Sequence, residues 1–389
     1  MTTMQASTQD QRAPSRPFAL VNARLIDPFS GLDQMGGVLI VDGTIADVGP
    51  HITEDAVGNT DIGDCSGCVL GPGLIDMLVS AGEPGQEHRE TLATASRAAA
   101  AGGVSTIVCV PNTDPVIDDV ALVDFILRRA RDTALVNVHP MAAMTKGLLG
   151  EEMSEIGLLH DAGAIAFANG KTSVASARVM RNVLAYAKDF GALIIHHLEE
   201  PTLAENGVMN EGEVATRLGL PGIPREAETI MLERDLRLAE LTRGRYHAGQ
   251  ISCRASLDII RAAKERGLPI TCGVSINHLT LNENDIGPYR TFFKMRPPLR
   301  SEDDRAAMVE GIASGDIDVI VSAHDPQDSD GKRRPFAEAA DGAIGVETLL
   351  SAAEAPLDRR FATLTQRWLP PRPPIPRTRT WVRPSSPRA

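Results

Sequence analysis

The chain has 389 residues, 43% of them hydrophobic, which is enough to bury the core of one α/β barrel with a small appended unit. A formal net charge of -12 and a pI near 5.3 exclude the basic surface that nucleic acid or an anionic membrane requires of a partner. Five cysteines behind a polar Thr/Ser/Gln/Arg opening, with no apolar signal or membrane-spanning run, point to reduced thiols and a cytoplasmic protein.

In chain order, residues 1–16 are polar and read as disordered. Residues 18–27, 37–41 and 44–48 read as short strands punctuated by Pro28, Gly31 and Asp42-Gly43, so that 17–68 form a small β-sandwich-like unit. Cys65 and Cys68 make a lone C-x-x-C; without a second pair at zinc-site spacing they read as two small residues near a turn. Beyond Val69, short apolar runs alternate with Ala-rich amphipathic stretches such as 90–101 and 121–131. The runs are 69–76, 104–110, 135–142, 164–168, 192–197, 246–251, 270–274 and 317–321. Their number, and their apolar character on both faces, predict a closed parallel (β/α)₈ TIM-type barrel over 69–350 rather than an open doubly wound sheet. Residues 351–389 lose the periodicity and become a Pro/Arg-rich tail that cannot build a core; it reads as unstructured chain, with a polyproline-type binding segment as the alternative.

Chemistry in such a barrel sits at the C-terminal ends of the strands. The first barrel strand reads Gly71-Pro72-Gly73-Leu74-Ile75-Asp76-Met77-Leu78-Val79-Ser80-Ala81-Gly82-Glu83-Pro84-Gly85. This resembles the signature of dihydroorotases, of the amidohydrolase superfamily, in which Pro-Gly-Leu-Ile-Asp leads into His-x-His-Leu-Arg-x-Pro-Gly. The resemblance continues over about 18–350 through Val110-Pro111-Asn112-Thr113, Thr145-Lys146-Gly147, Gly163-Ala164-Ile165-Ala166-Phe167, Met209-Asn210-Glu211-Gly212 and Lys294-Met295-Arg296-Pro297-Pro298-Leu299-Arg300-Ser301.

The resemblance implies a binuclear zinc site whose first two His ligands fall at Leu78 and Ser80, and a carboxylate-binding Arg that falls at Gly82. It places the bridging acid at Asn169, the strand-six His at Gln250, a substrate-contacting Asn at Arg296, and the final-strand Asp at Ala323, just before His324. Two positions keep the family's residue: Asn112 for substrate and His197 for metal. Leucine has no lone pair for zinc, serine is a poor ligand unless ionised, and glycine offers no guanidinium fork. Without a metal pair nothing lowers the pKa of a bound water, and without a carboxylate at Ala323 nothing obvious carries its proton.

Of the remaining polar residues, His196 and His197 point to opposite faces of their strand, so one of them enters the mouth. His247 reads as a core histidine and Lys171 as a solvated lysine rather than a carbamylated metal bridge. Glu199 and Glu200 offer a carboxylate pair, although the resemblance implies acidic residues here that are not catalytic, and Arg296 brings a charge that binds an acidic ligand or pairs with a nearby acid. The leading expectation, by resemblance, is a non-catalytic dihydroorotase-like subunit supporting aspartate carbamoyltransferase in pyrimidine biosynthesis, without a cofactor and compatible with homo-oligomers. The alternatives are an active zinc-dependent dihydroorotase or related cyclic-amide hydrolase, and a barrel in which Asn112 and Arg296 hold an acidic metabolite without turnover.

Overall fold

The computed structural model of the chain describes residues 17–58 and 60–354, and its contacts divide the chain after Pro72. The expectations for 1–16 and for 355–389 lie outside the described residues.

The first unit is a five-stranded sheet. β1 (Phe18–Asp27) pairs antiparallel with β2 (Leu32–Val41), which pairs with β3 (Thr44–Gly49), while β4 (Asp61–Asp64) and β5 (Val69–Leu70) both run parallel to β1. β2 starts five residues earlier than its apolar run suggests, because the tight turn after Asp27 pairs Leu32 directly with Asp27. Leu20, Ala23, Leu25, Val38 and Cys65 fill one side of the sheet and Ala19, Val21 and Ile52 the other. Cys65 is therefore a core residue. Its amide donates to Val21 O (2.8 Å), and the Cys68 amide closes a turn onto Cys65 O (2.9 Å). All five cysteines are free thiols.

The second unit contains eight parallel strands in sequence order: β6 (Leu74–Val79), β7 (Val104–Cys109), β8 (Asn137–Ala143), β9 (Ala166–Ala168), β10 (Leu193–His196), then, after the small β11 (Met209–Asn210) and β12 (Gly222–Ile223) pair, β13 (Arg245–Ala248), β14 (Ile270–Ser275) and β15 (Val319–Val321). The seam between last and first strand closes where Val79 pairs in parallel with His324 and the Ser80 amide donates to His324 O (2.8 Å). The chain is thus a TIM-type barrel with an N-terminal sheet unit. The expected first strand, 69–76, is two strands: Val69–Leu70 belongs to the small sheet and Leu74–Val79 to the barrel. Gly71-Pro72-Gly73 separates them, since Pro72 has no N–H for a ladder and Gly73 lies too close to Ser105 for any side chain.

The helices cover the barrel with their apolar faces. Leu92–Ala101 opens on a Thr91 capping box, and the buried Glu83 carboxylate also accepts from the Leu92 amide (2.9 Å) while pairing with Arg129 (2.5 Å). Val120–Thr133 is capped by Asp119. No helix among the described residues is long and apolar enough to cross a membrane.

Candidate functional site

The C-terminal strand ends converge on a cavity of about 70 Å³ lined by Leu78, Ser80, Asn112, Gln250, Arg296 and Ala323, together with Lys171, His197, Asn277 and His278. Seven positions that the resemblance assigns to metal or substrate chemistry, His197 among them, are therefore brought together here. A larger compartment of about 260 Å³ shares Ser80, Asn112, Lys171 and Asp325 with it and is also lined by Asp341.

Asn169 and Gly82 do not line the smaller cavity. Asn169 is buried and turned onto Thr145, whose amide (3.2 Å) and hydroxyl (3.0 Å) donate to Oδ1 while Nδ2 donates back to the hydroxyl (2.7 Å). Its amide therefore stitches the loops after β8 and β9 together. Gly82 adopts φ +70°, and a Cβ there would lie 2.7 Å from Gln86 O and 2.8 Å from Glu90 O. The loop has closed over the space that a family arginine would need. Gly82→Arg is accordingly expected to lower stability by about 2–3 kcal/mol in urea denaturation, rather than restore a carboxylate fork. Ala323 sits at φ 50°, a left-handed conformation that costs alanine about 1–2 kcal/mol and suits Asp or Asn better.

Charged residues at the mouth are paired with one another. The Arg296 guanidinium donates to Glu199 Oε1 (2.6 Å), Asp341 Oδ2 (3.2 Å) and Gly207 O (3.0 Å). Each of its three nitrogens makes one hydrogen bond, so it ties three segments together and its charge is shared with two carboxylates. Glu200 caps the short helix Pro201–Ala204, accepting from the Leu203 amide (2.8 Å), so the Glu199–Glu200 pair is split between two structural tasks. Lys171, expected to be solvated, pairs with Asp325 and donates to Asp341 O (2.9 Å). The strand ends bring these acids together where linear sequence does not.

The histidines divide as the strand alternation requires. His196 is buried with Nδ1 on Asp235 (2.6 Å) and Nε2 accepting from the Val174 amide (2.8 Å). His197 lines the cavity, with Nε2 buried and without a hydrogen-bond partner. Burial, then His196, Arg296 and Lys171, push its pKa down to about 3, so the ring is neutral. His247 is in the core beside Thr271 Oγ1 (2.9 Å). His278 escaped the sequence reading. Its only signal was a polar Ser275-Ile276-Asn277-His278 run directly after the seventh strand.

A zinc pair needs several anionic or imidazole ligands to offset dehydration and mutual repulsion. His197 supplies one imidazole. His324 is engaged with Glu90 (3.3 Å) and the Gly345 amide (3.2 Å), and Asp325 is paired with Lys171. No group of three or more His, Cys, Asp or Glu is placed to hold a metal among the described residues. The side chains present do not fit a binuclear zinc centre.

Solved structures share this fold. It superposes on the L-hydantoinase (dihydropyrimidinase) of Arthrobacter aurescens with a TM-score of 0.78 at 20% identity, covering 90% of this chain and 80% of that one. A dihydropyrimidinase from Brevibacillus agri gives 0.74 at 18% identity, over 90% and 79%. At this identity the likeness speaks for the fold alone. The dihydro-orotase-like family matches residues 67–256. A protein named dihydroorotase from Solibacter usitatus is 42% identical over 87% of this chain and 78% of its own length. One of the same name from Citrifermentans bemidjiense is 44% identical over 84% and 77%, and one from Ehrlichia chaffeensis 40% over 90% and 80%. The chain belongs to the dihydroorotase family.

Proposed function

We propose that this protein is a non-catalytic member of its family, acting in pyrimidine biosynthesis as a structural subunit that supports aspartate carbamoyltransferase. One observation carries the loss of catalysis: the mouth is built from Leu78, Ser80, Gln250 and Ala323 where the family's chemistry calls for zinc ligands and a proton-carrying acid, and only His197 keeps a ligand's imidazole. The surrounding barrel is intact, which is what a scaffold retains. The partner is proposed from resemblance, and co-purification at native expression tests it; recovery without a transcarbamoylase removes that part of the reading.

A second reading, an active metal-dependent dihydroorotase, is favoured by relatives bearing that name at 40–44% identity. Metal content on protein purified without chelator, measured beside a dihydroorotase assay on the same sample, separates the two. The expected result is near-zero zinc and no turnover above a metal-free control. Close to two metals per chain with turnover would establish the second reading instead.

A further inference from the structure

The cysteines divide by accessibility. Cys109, Cys253 and Cys272 are buried in the barrel unit, whereas Cys65 and Cys68 belong to the small sheet unit, the first buried and the second half-buried. Cys65-Ser66-Gly67-Cys68 is a tight turn between β4 and β5, closed where the Cys68 amide donates to Cys65 O (2.9 Å). Gly67 takes φ +78°, the left-handed conformation that a type II turn puts at its third residue. Both ends of the turn are tied to β1. The Cys65 amide donates to Val21 O (2.8 Å) and the Arg24 amide to Cys68 O (3.0 Å). The Asp64 carboxylate braces the turn, accepting from the Ser66 amide (3.1 Å), the Ser66 hydroxyl (2.7 Å) and Asn22 Nδ2 (2.9 Å).

A turn of this kind brings its outer Cα atoms within about 7 Å, and a disulfide spans roughly 4.4–6.8 Å between Cα atoms. The side chains also agree in direction. Cys65 belongs to the apolar cluster of Leu20, Ala23, Leu25 and Val38, and Cys68 packs against that same cluster. With the backbone anchored at both ends and both thiols on one side of the sheet, side-chain rotation is what joins them. We propose that Cys65 and Cys68 are a thiol–disulfide pair, a redox modification site in the small sheet unit that exchanges with low-molecular-weight disulfides.

The half-buried Cys68 is the entry thiol. Burial, then the charges of Cys68 and Asp64, push the Cys65 thiol up, which leaves it the poorer attacker of an external disulfide. The Cys68 thiolate attacks one sulfur of oxidised glutathione, forming a mixed disulfide and expelling one glutathione thiolate. Cys65 then attacks the Cys68 sulfur and expels the second. Two cysteine thiols are oxidised, one glutathione disulfide is reduced, and the two cysteine protons end on the two glutathiones.

The test is mass spectrometry on the full native chain incubated with oxidised glutathione, acid-quenched, alkylated in denaturant and cut with trypsin. Cleavage after Arg24 and Arg89 releases one peptide, 25–89, that holds Cys65 and Cys68 and no other cysteine. This peptide is expected to escape alkylation and to be lighter than its reduced form by two hydrogens, with dithiothreitol restoring both thiols. Cys65→Ser removes the resolving thiol and should accumulate glutathione on Cys68 about tenfold or more above the level in the unsubstituted chain, because the intramolecular attack outruns a second external one. A peptide alkylated at both cysteines overturns the proposal. So does a mixed disulfide that persists in the unsubstituted chain at the level seen in Cys65→Ser.

Discussion

Asp235→Ala is expected to destabilise the barrel by about 3–5 kcal/mol, since it removes the acid from a buried charged network and leaves its partners behind. Asp235 is fully buried on the helix Glu226–Thr242 and accepts from His196 Nδ1 (2.6 Å), Tyr246 Oη (3.0 Å) and Arg234 through Nη2 (2.6 Å) and Nε (2.9 Å). Burial by itself would raise its pKa, but His196 and Arg234 outweigh burial and hold the carboxyl below its usual range. Arg234 also reaches Val174 O (2.8 Å), and the Val174 amide returns to His196 Nε2 (2.8 Å), so the loop after the fourth strand closes a ring with the fifth. Tyr246→Phe deletes one donor cleanly and should cost only about 1 kcal/mol. Urea denaturation of both variants is the check; equal small losses would mean that the ring is not a cooperative unit.

Acid should destabilise the protein well before its carboxylates protonate in bulk. Burial lowers the pKa of His247 to about 3 and of His278 to about 4. In the unfolded chain both return to about 6.5. Because the folded values are depressed, the unfolded state binds more protons below pH 6.5. The stability these neutral rings confer is therefore complete above 6.5 and falls as pH drops from there toward 4 and then 3. Each ring costs about 1.4 kcal/mol per pH unit in that window, so the pair removes about 4 kcal/mol by pH 5. Asp235 acts in the same direction at lower pH, its contribution being present above about 4 and lost below. Urea midpoints measured from pH 8 to 4.5 should fall steadily below 6.5, and a flat profile between pH 7 and 5 would sink the expectation.

The barrel was legible because each strand is buried on both faces and so reads as an apolar run bounded by polar strand ends, as in 104–110 against the observed Val104–Cys109 and 270–274 against Ile270–Ser275. The first run misled because Val69–Leu70 and Leu74–Val79 are both apolar, and only hydrogen-bond pairing assigns them to different sheets. The mouth was legible by position: Leu78, Ser80, Asn112, His197, Gln250, Arg296 and Ala323 all line one cavity. Their partners were not. Glu199 and Arg296 lie 97 residues apart, and nothing local in either segment announces the pair.

The sequence by itself determined the fold, through strand periodicity, and the absence of zinc-ligating side chains at most matched positions, because a residue type carries its donor atoms wherever it is placed. Tertiary structure alone decided what the surviving polar groups do. It commits Arg296 and Lys171 to carboxylates brought from other strand ends, turns Asn169 onto Thr145, and closes Gly82 into a turn with no room for a side chain. It also leaves His278 with an unpaired nitrogen beside His197 and Asn112. Hydrogen-bond valence is settled by three-dimensional neighbours, and these come from segments that the chain separates by tens to hundreds of residues.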